Sequence, residues 1–463
     1  MKSLILLSGL GVFALISEII SLRKLIFPVI LIGLAAVIGF AVKDWNAEAF
    51  HFHNNMMVFD KPGMAFTMLL CAVTILWFWM AKPYIEAETH ISDAVALVLF
   101  ALTGAVMMAT YGNMVMLFLG IETLSIPMYV LAGSRKNSLN SNESALKYFL
   151  MGAFATGFLL FGIALIYGVT GAFHLHSIAD YVQANNGNYP PMFYAGITLV
   201  GIGMLFKVSG FPFHFWAPDV YTGAPTPVTA FMATVVKTAA FAAFFRLFSW
   251  CFGGISGSFM QWTGVLCACT MLIGNLSAIV QDNIKRMRAY SSIAHAGYML
   301  LSILSLGKNG NESVHNALLF YSAAYSLASI ISFTVLHQVA LASGTESLAG
   351  FNGLFKKNRT AAIAMSVALI SLAGIPPLAG FFGKYFLFYK ALQGGHVYVI
   401  LFAILASLAG IAYYLRIVIA MFTGEPDASS ELQLSSSHKL LLGLCTLGLI
   451  ILGVMPGLLV NIF

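Results

Sequence analysis

Eight ionisable side chains stand inside otherwise apolar segments: Glu122, Lys147, Lys207, Lys237, Arg246, Lys384, Lys390 and Arg416, with Glu18 near the end of another. A charged side chain at the centre of a bilayer costs about 2.5–3.5 kcal/mol on insertion scales, so several in one chain imply paired or hydrated positions with a task. Lysine suits proton relay, because its strongly hydrated ammonium releases a proton more readily when desolvated or set beside another cation. A carboxylate acts oppositely, holding a nearby ammonium charged while the pair is closed and freeing it when the two separate. Of the seventeen acidic residues only Glu122 reads as deeply buried, which makes it the candidate gate.

Lys207 lies in LFKVSGFPFHFW and Lys384 in AGIPPLAGFFGKYF, each beside a segment broken by glycine and proline. Pro212, Pro376 and Pro377 free backbone carbonyls that a continuous helix would satisfy, so water or side chains must fill the gaps. Gly210, Gly380 and Gly383 leave room for a hydrogen-bonded chain there. A packing kink is the plain alternative, and a lysine within a turn or two of both breaks favours function. Lys237, in TVVKTAAF, is too far from any loop to snorkel. His295, in SSIAHAGY, either bridges waters or is satisfied by neighbouring backbone and serine. Lys147 begins its span in SNESALKYF and can snorkel, with Glu143 one turn earlier as partner. Arg246, Lys390 and Arg416 lie nearer segment ends and read as anchors. The five cysteines lack CxxC spacing and read as packing residues, and no HxxxH pair suggests haem or a metal. Gly9/Gly11 and Gly201/Gly203 follow no strand, and neither a P-loop nor a nucleophile–base set is present.

The elements that position these groups must be membrane helices. The chain of 463 residues is 60% hydrophobic and 9% charged, with a mean hydropathy of +0.89, against roughly 25% charged residues in soluble domains. The fold expected is all-α and polytopic, with about fourteen transmembrane helices. They are placed near 3–20, 25–42, 63–82, 92–109, 113–132, 147–170, 193–215, 225–250, 259–280, 288–306, 314–342, 360–390, 396–421 and 438–461. A β-barrel would need alternating strands, which are not seen. The first span reads as retained, since no convincing small-residue cleavage site follows Lys2. Alternate loops then divide the cations twelve to four: Arg23, Lys24, Lys82, Arg135, Lys136, Lys285, Arg286, Arg288, Lys356, Lys357, Arg359 and Lys439 against Lys2, Lys43, Lys61 and Lys308. This asymmetry puts both termini outside. With no dense basic patch, the charge of +6 does not point to nucleic acid. The paired broken helices predict two structural repeats with an ion site in each.

The run FKVSGFPFHFWAPDVYTGAPTPVTAFMATVVK, with SSIAHAGY and GIPPLAGFFGKYFLF, closely resembles the antiporter-like membrane subunits of respiratory complex I. The likeness covers roughly residues 90–425. It implies two inverted five-helix repeats: helices 1–3 over 1–90, the first repeat over 91–250, the second over 251–425 and helix 14 over 426–463. It implies one proton-translocating unit of NADH:quinone oxidoreductase in a bacterial inner membrane, beside other antiporter-like and small membrane subunits and lipids. By position, Glu122 matches the family's gate glutamate and Lys207 its partner, Lys237 the connecting lysine and Lys384 the terminal one. Lys147 matches a further lysine, and His295 falls in the polar axis. NADH, FMN, iron–sulfur clusters and quinone are then expected on other subunits, with no cofactor on this chain. The rivals are a subunit of a multi-subunit Na+/H+ antiporter, a non-transporting membrane scaffold and an independent solute transporter.

Overall fold

A computed structural model describes the chain except residues 21, 89, 186, 254, 256–257, 307–310, 426–431, 461 and 463. Lys308 therefore lies outside the described residues. In chain order the elements are α1 (Lys2–Ile19), α2 (Ile26–Lys43), β1 (Phe50–Phe52), β2 (Met57–Phe59), α3 (Lys61–Glu86), α4 (Ile91–Thr110), α5 (Met114–Ala132), α6 (Leu139–Thr170), α7 (Leu175–Asn185), α8 (Pro191–Val208), α9 (Trp216–Gly223), α10 (Thr226–Phe231) and α11 (Lys237–Leu247). There follow α12 (Ser258–Ile279), α13 (Ile284–Leu304), α14 (Asn311–Ser343), α15 (Leu354–Lys357), α16 (Arg359–Ala373), α17 (Ala379–Gln393), α18 (Val397–Thr423), α19 (Ser436–Val454) and α20 (Gly457–Val460).

Among the described residues twelve helical stretches are long and apolar enough to cross a bilayer. Each of the fourteen segments expected from the sequence has a helical counterpart. The two outside the twelve are α13, whose first turns carry Lys285, Arg286 and Arg288, and the stretch over 360–390, which is cut into α16 and α17 of 15 residues each. Several small elements fall outside the expected spans, α9 and α15 among them. The antiparallel hairpin β1–β2 pairs Phe50 with Phe59 and Phe52 with Met57 in a polar stretch. Helix α7 buries Leu175, Ile178 and Val182 in another.

The chain divides into two compact units. The first holds Met1–Ile75, Ala81–Val208 and Val235–Phe259. In it α6 packs on α8, α4 on α5 and α1 on α4. Arg246 of α11, expected to be an end anchor, is instead a buried clamp. Its Nη1 donates to both Asp60 carboxylate oxygens at 2.9 and 3.0 Å, its Nε to the Tyr111 carbonyl at 2.7 Å, and Trp250 lies 4.3 Å from the guanidinium. Asp60 also caps α3 by accepting from the Gly63 N–H at 3.0 Å, and the Tyr111 hydroxyl donates to the Ala243 carbonyl at 2.8 Å. Asp60 comes from 186 positions away in the chain, a pairing that no local pattern announces.

The second unit holds Leu76–Met80, Ser209–Thr234 and Met260–Phe463. Helix α14 packs against α16, α17 and α19, and α13 against α9 and α17. The Trp77 indole donates to the Pro227 carbonyl at 2.7 Å and meets Phe231 edge-on. Two of the cations assigned to loops prove to be interior. Helix α13 starts at Ile284, where the Asn283 side chain accepts the Arg286 N–H, and this early start carries Lys285 and Arg288 into the core. Lys285 donates to the Ala224 carbonyl at 2.7 Å and pairs with Glu346 at 3.2 Å. Lys390 and Arg416 are surface groups as expected, on Gln393 and Asp282 respectively.

Removing one partner of a buried ion pair costs about 3–5 kcal/mol because the other charge is left behind. Arg246→Met should therefore lower the detergent melting temperature of the protein sharply. Asp60→Asn added to it should recover part of the loss, and equal melting of the single variant and the parent would refute the clamp.

Candidate functional site

The first helix break grows out of α8. Ser209 adopts a left-handed φ of 60°, so the helix stops at Val208, and Pro212 follows with a cis bond to Phe211. Lys207 is left in the last turn, 4% exposed. Its Nζ donates to the Ser125 hydroxyl of α5 at 2.8 Å, and that hydroxyl in turn donates to the Ile121 carbonyl. Tyr129 lies 5.8 Å from the ammonium. Glu122, about one turn before Ser125 on α5, is close enough to act on the Lys207 charge, yet among the described residues no ion pair joins the two. Glu122 is half-buried in this chain where deep burial was expected, but its Oε1 is enclosed and has no hydrogen-bond partner among the described residues.

Lys237 opens α11 directly after a π-helical turn, Met232–Val236, and is buried. Such turns interrupt helical hydrogen bonding and recur at functional sites. Lys147 is a different kind of group. It is half-exposed on α6 and pairs with Glu143 at 2.6 Å, the partner its spacing implied. Glu122, Lys147, Lys207 and Lys237 all belong to the first unit, and His295 and Lys384 to the second.

In the second break α16 ends on Gly374, with φ of 84°, and α17 begins after the Pro376–Pro377 turn. The Lys384 ammonium turns back from α17 and donates to the Ala373 carbonyl at 2.8 Å. It thus satisfies an orphan acceptor at a helix C-terminus, where a cation is also favoured by the helix dipole. Tyr298 lies 4.8 Å away. A side chain on Gly374 would require the left-handed backbone and would meet Lys384 Cδ at 2.9 Å. Gly380 is equally constrained, since a Cβ there would fall 1.8 Å from the Ser371 carbonyl oxygen, and its N–H donates to Ser371 Oγ at 3.0 Å. Side chains also serve the first break, where the Phe211 N–H donates to Thr270 Oγ1 at 3.0 Å.

His295 of α13 is buried among hydroxyls. Its Nδ1 meets the Tyr321 hydroxyl at 2.6 Å and its Nε2 the Tyr414 hydroxyl at 3.1 Å. A cavity of about 10 Å³, the space of a single water, lies between His295, Tyr321 and Tyr325 on one side and Ser371 and Gly380 on the other. Arg288, Tyr321 and Tyr414 are functional candidates that sequence reasoning missed. The available signal was the polar stripe Lys285, Arg288, Ser291, Ser292, His295 at helical spacing along α13, hidden by starting that helix too late.

Residues 111–410 match the family described as NADH:quinone oxidoreductase/Mrp antiporter, TM. The chain is 42% identical to the NADH-quinone oxidoreductase subunit N of Cytophaga hutchinsonii, over 100% of this chain and 99% of that one. It is also 42% identical to the protein of the same name from Flavobacterium psychrophilum, over 92% of each. A chain of respiratory complex I from Thermus thermophilus superposes with a TM-score of 0.84 at 33% identity, covering 99% of this chain and 98% of that one. A chain of the Mrp complex from Dietzia sp. superposes at 0.87 with 21% identity, covering 99% of this chain and 95% of that one, a likeness of fold. A polytopic helical chain with two proline-broken helices, each bringing a buried lysine to a neutral oxygen, thus belongs to the NADH:quinone oxidoreductase/Mrp antiporter family of membrane subunits.

Proposed function

We infer that this chain is a proton-translocating membrane-arm subunit of an NADH:quinone oxidoreductase of the complex I type. The observation that carries the reading is the state of its two break lysines. Lys207 and Lys384 are both buried, and each is held by a neutral oxygen, Ser125 Oγ and the Ala373 carbonyl. A neutral acceptor orients an ammonium without locking its charge as a carboxylate would, so the group can load and unload. Support also comes from relatives named NADH-quinone oxidoreductase subunit N that align over 92–100% of the chain.

The relay has Lys207 and Glu122 as gate, Lys237 as link, and His295 with Lys384 as the terminal segment. With Lys207 on Ser125 the gate is open. Closing it moves the ammonium toward the unpartnered Glu122 oxygen, which holds the proton; reopening releases it to Lys237. Quinone reduction elsewhere in the complex must change the relative energy of these two positions, because linkage allows coupling in no other way. This subunit alone therefore does not pump. Lys147 and Glu143 present their ion pair on the half-exposed face of α6, open to a neighbouring membrane-arm subunit. NADH oxidation, flavin, iron–sulfur and quinone chemistry belong to other subunits, and the chain sits in the bacterial inner membrane with both termini on the outer face.

Lys207→Ala and Lys384→Ala, in an assembled complex, should each lower proton pumping by about tenfold, the effect of some 1.4 kcal/mol on the limiting transfer. Glu122→Gln should do likewise, with coupled quinone reduction slowed alongside. Pumping is read from NADH-driven acidification of vesicles with the assembled amount measured in parallel. Parental pumping in assembled Lys207→Ala and Lys384→Ala would sink the relay, and pumping that tracks external sodium would assign a sodium–proton exchanger instead.

A further inference from the structure

Arg288 of α13 is 1% exposed, and among the described residues no carboxylate pairs with it. Arginine stays protonated in proteins. A buried charge with no counter-ion is costly, and a merely structural arginine answers that cost as Arg246 does with Asp60. The described partners of Arg288 are all neutral. Its Nη1 donates to Ser291 Oγ at 3.3 Å and to the Tyr414 hydroxyl at 3.2 Å, its Nη2 to Ser329 Oγ at 3.0 Å, and the Phe333 ring lies 5.4 Å away. Its Nε is buried without a hydrogen-bond partner among the described residues.

Ser291 and Tyr414 also share a short hydrogen bond, and Tyr414 touches His295 Nε2. A guanidinium only donates, so the lone pairs of Ser291 and Tyr414 face it and their O–H bonds point away. The Ser291 O–H then donates to Tyr414, which leaves the Tyr414 O–H for His295 Nε2. A neutral imidazole accepting at Nε2 carries its proton on Nδ1, aimed at the Tyr321 oxygen 2.6 Å away. The Tyr321 O–H is turned to the cavity it shares with Ser371 and Gly380.

We propose that Arg288 is a positioning residue for proton transfer, polarising the Ser291–Tyr414–His295–Tyr321 chain so that it delivers a proton into the cavity at the second helix break. This deepens the relay inferred above and rests on it. In the step, Tyr414 gives its hydroxyl proton to Nε2 as Nδ1 gives its proton to Tyr321, and Tyr321 passes its own phenolic proton into the cavity. The translocated proton, arriving through Ser291, replaces the one that Tyr414 lost. One proton enters, one leaves, and each group ends neutral. The chain then has the reverse polarity, with the imidazole proton on Nε2; tautomer exchange of His295 returns it to Nδ1 while the Arg288 charge draws the hydroxyl lone pairs back to itself.

The test compares Arg288→Gln, Arg288→Lys, Tyr414→Phe and the double variant Arg288→Gln/Tyr414→Phe in the assembled complex, with proton pumping and quinone reduction measured together. Arg288→Gln and Tyr414→Phe should each lower pumping roughly tenfold or more, the scale of a lost proton-transfer contribution. The double variant should lose no more than the worse single variant, because both changes break one chain. Arg288→Lys, which keeps a donating cation but loses the planar fork, should lose less pumping than Arg288→Gln. Parental pumping in assembled Arg288→Gln, or losses that multiply in the double variant, would overturn the proposal. Should Arg288→Gln not assemble, parental pumping in Tyr414→Phe overturns it instead. Lys384→Ala in the same series separates the two levels: unimpaired pumping there removes the relay itself, whereas its loss beside an unimpaired Arg288→Gln removes only the role of Arg288.

Discussion

An ammonium buried in an apolar interior must find an acceptor, and the kind of acceptor it finds decides whether it can ever give up its proton. A carboxylate would fix the charge; a neutral oxygen orients it and leaves the charge adjustable. Lys207 and Lys384 both have the second kind, one a serine hydroxyl and the other a freed helix carbonyl. The helices around them supply those oxygens. Helix α16 must end at Gly374 so that the Ala373 carbonyl is unpaired, and Gly374 must lack a side chain so that Lys384 can reach it.

Other buried cations are treated differently, and the contrast is informative. Arg246 has the Asp60 carboxylate and Lys285 has Glu346, so their charges are pinned where the fold needs fixed joints between distant segments. Arg288 stands between these classes, permanent in charge yet surrounded by hydroxyls. Its field acts on proton-bearing oxygens that connect to His295. Carboxylate-paired cations thus brace each unit, and cations held by neutral oxygens occupy the breaks.

Much of this was legible from residue types alone. Long apolar runs with few charges leave helices as the stable way to satisfy backbone groups in lipid, and the sequence sets a lysine beside each proline break, where the structure buries it. What was not legible depended on distant partners. Asp60 and Arg246 are brought together by packing, so Arg246 read as an end anchor. Arg288 read as a loop charge because its helix begins four residues earlier than hydropathy suggests, under the Asn283 cap. Glu122 read as deeply buried, whereas in this chain it is half-exposed with one enclosed oxygen, since burial depends on which face of α5 its neighbours cover.

In the proposed relay, buried lysines change protonation during turnover. Infrared difference spectra of the assembled complex, with lysine side chains labelled by nitrogen-15, test this most directly. On NADH addition, isotope-sensitive ammonium bands should change, and that change should be lost in part with Lys207→Arg and in part with Lys384→Arg. A complex that pumps at its full rate with no isotope-sensitive lysine band change would contradict the account.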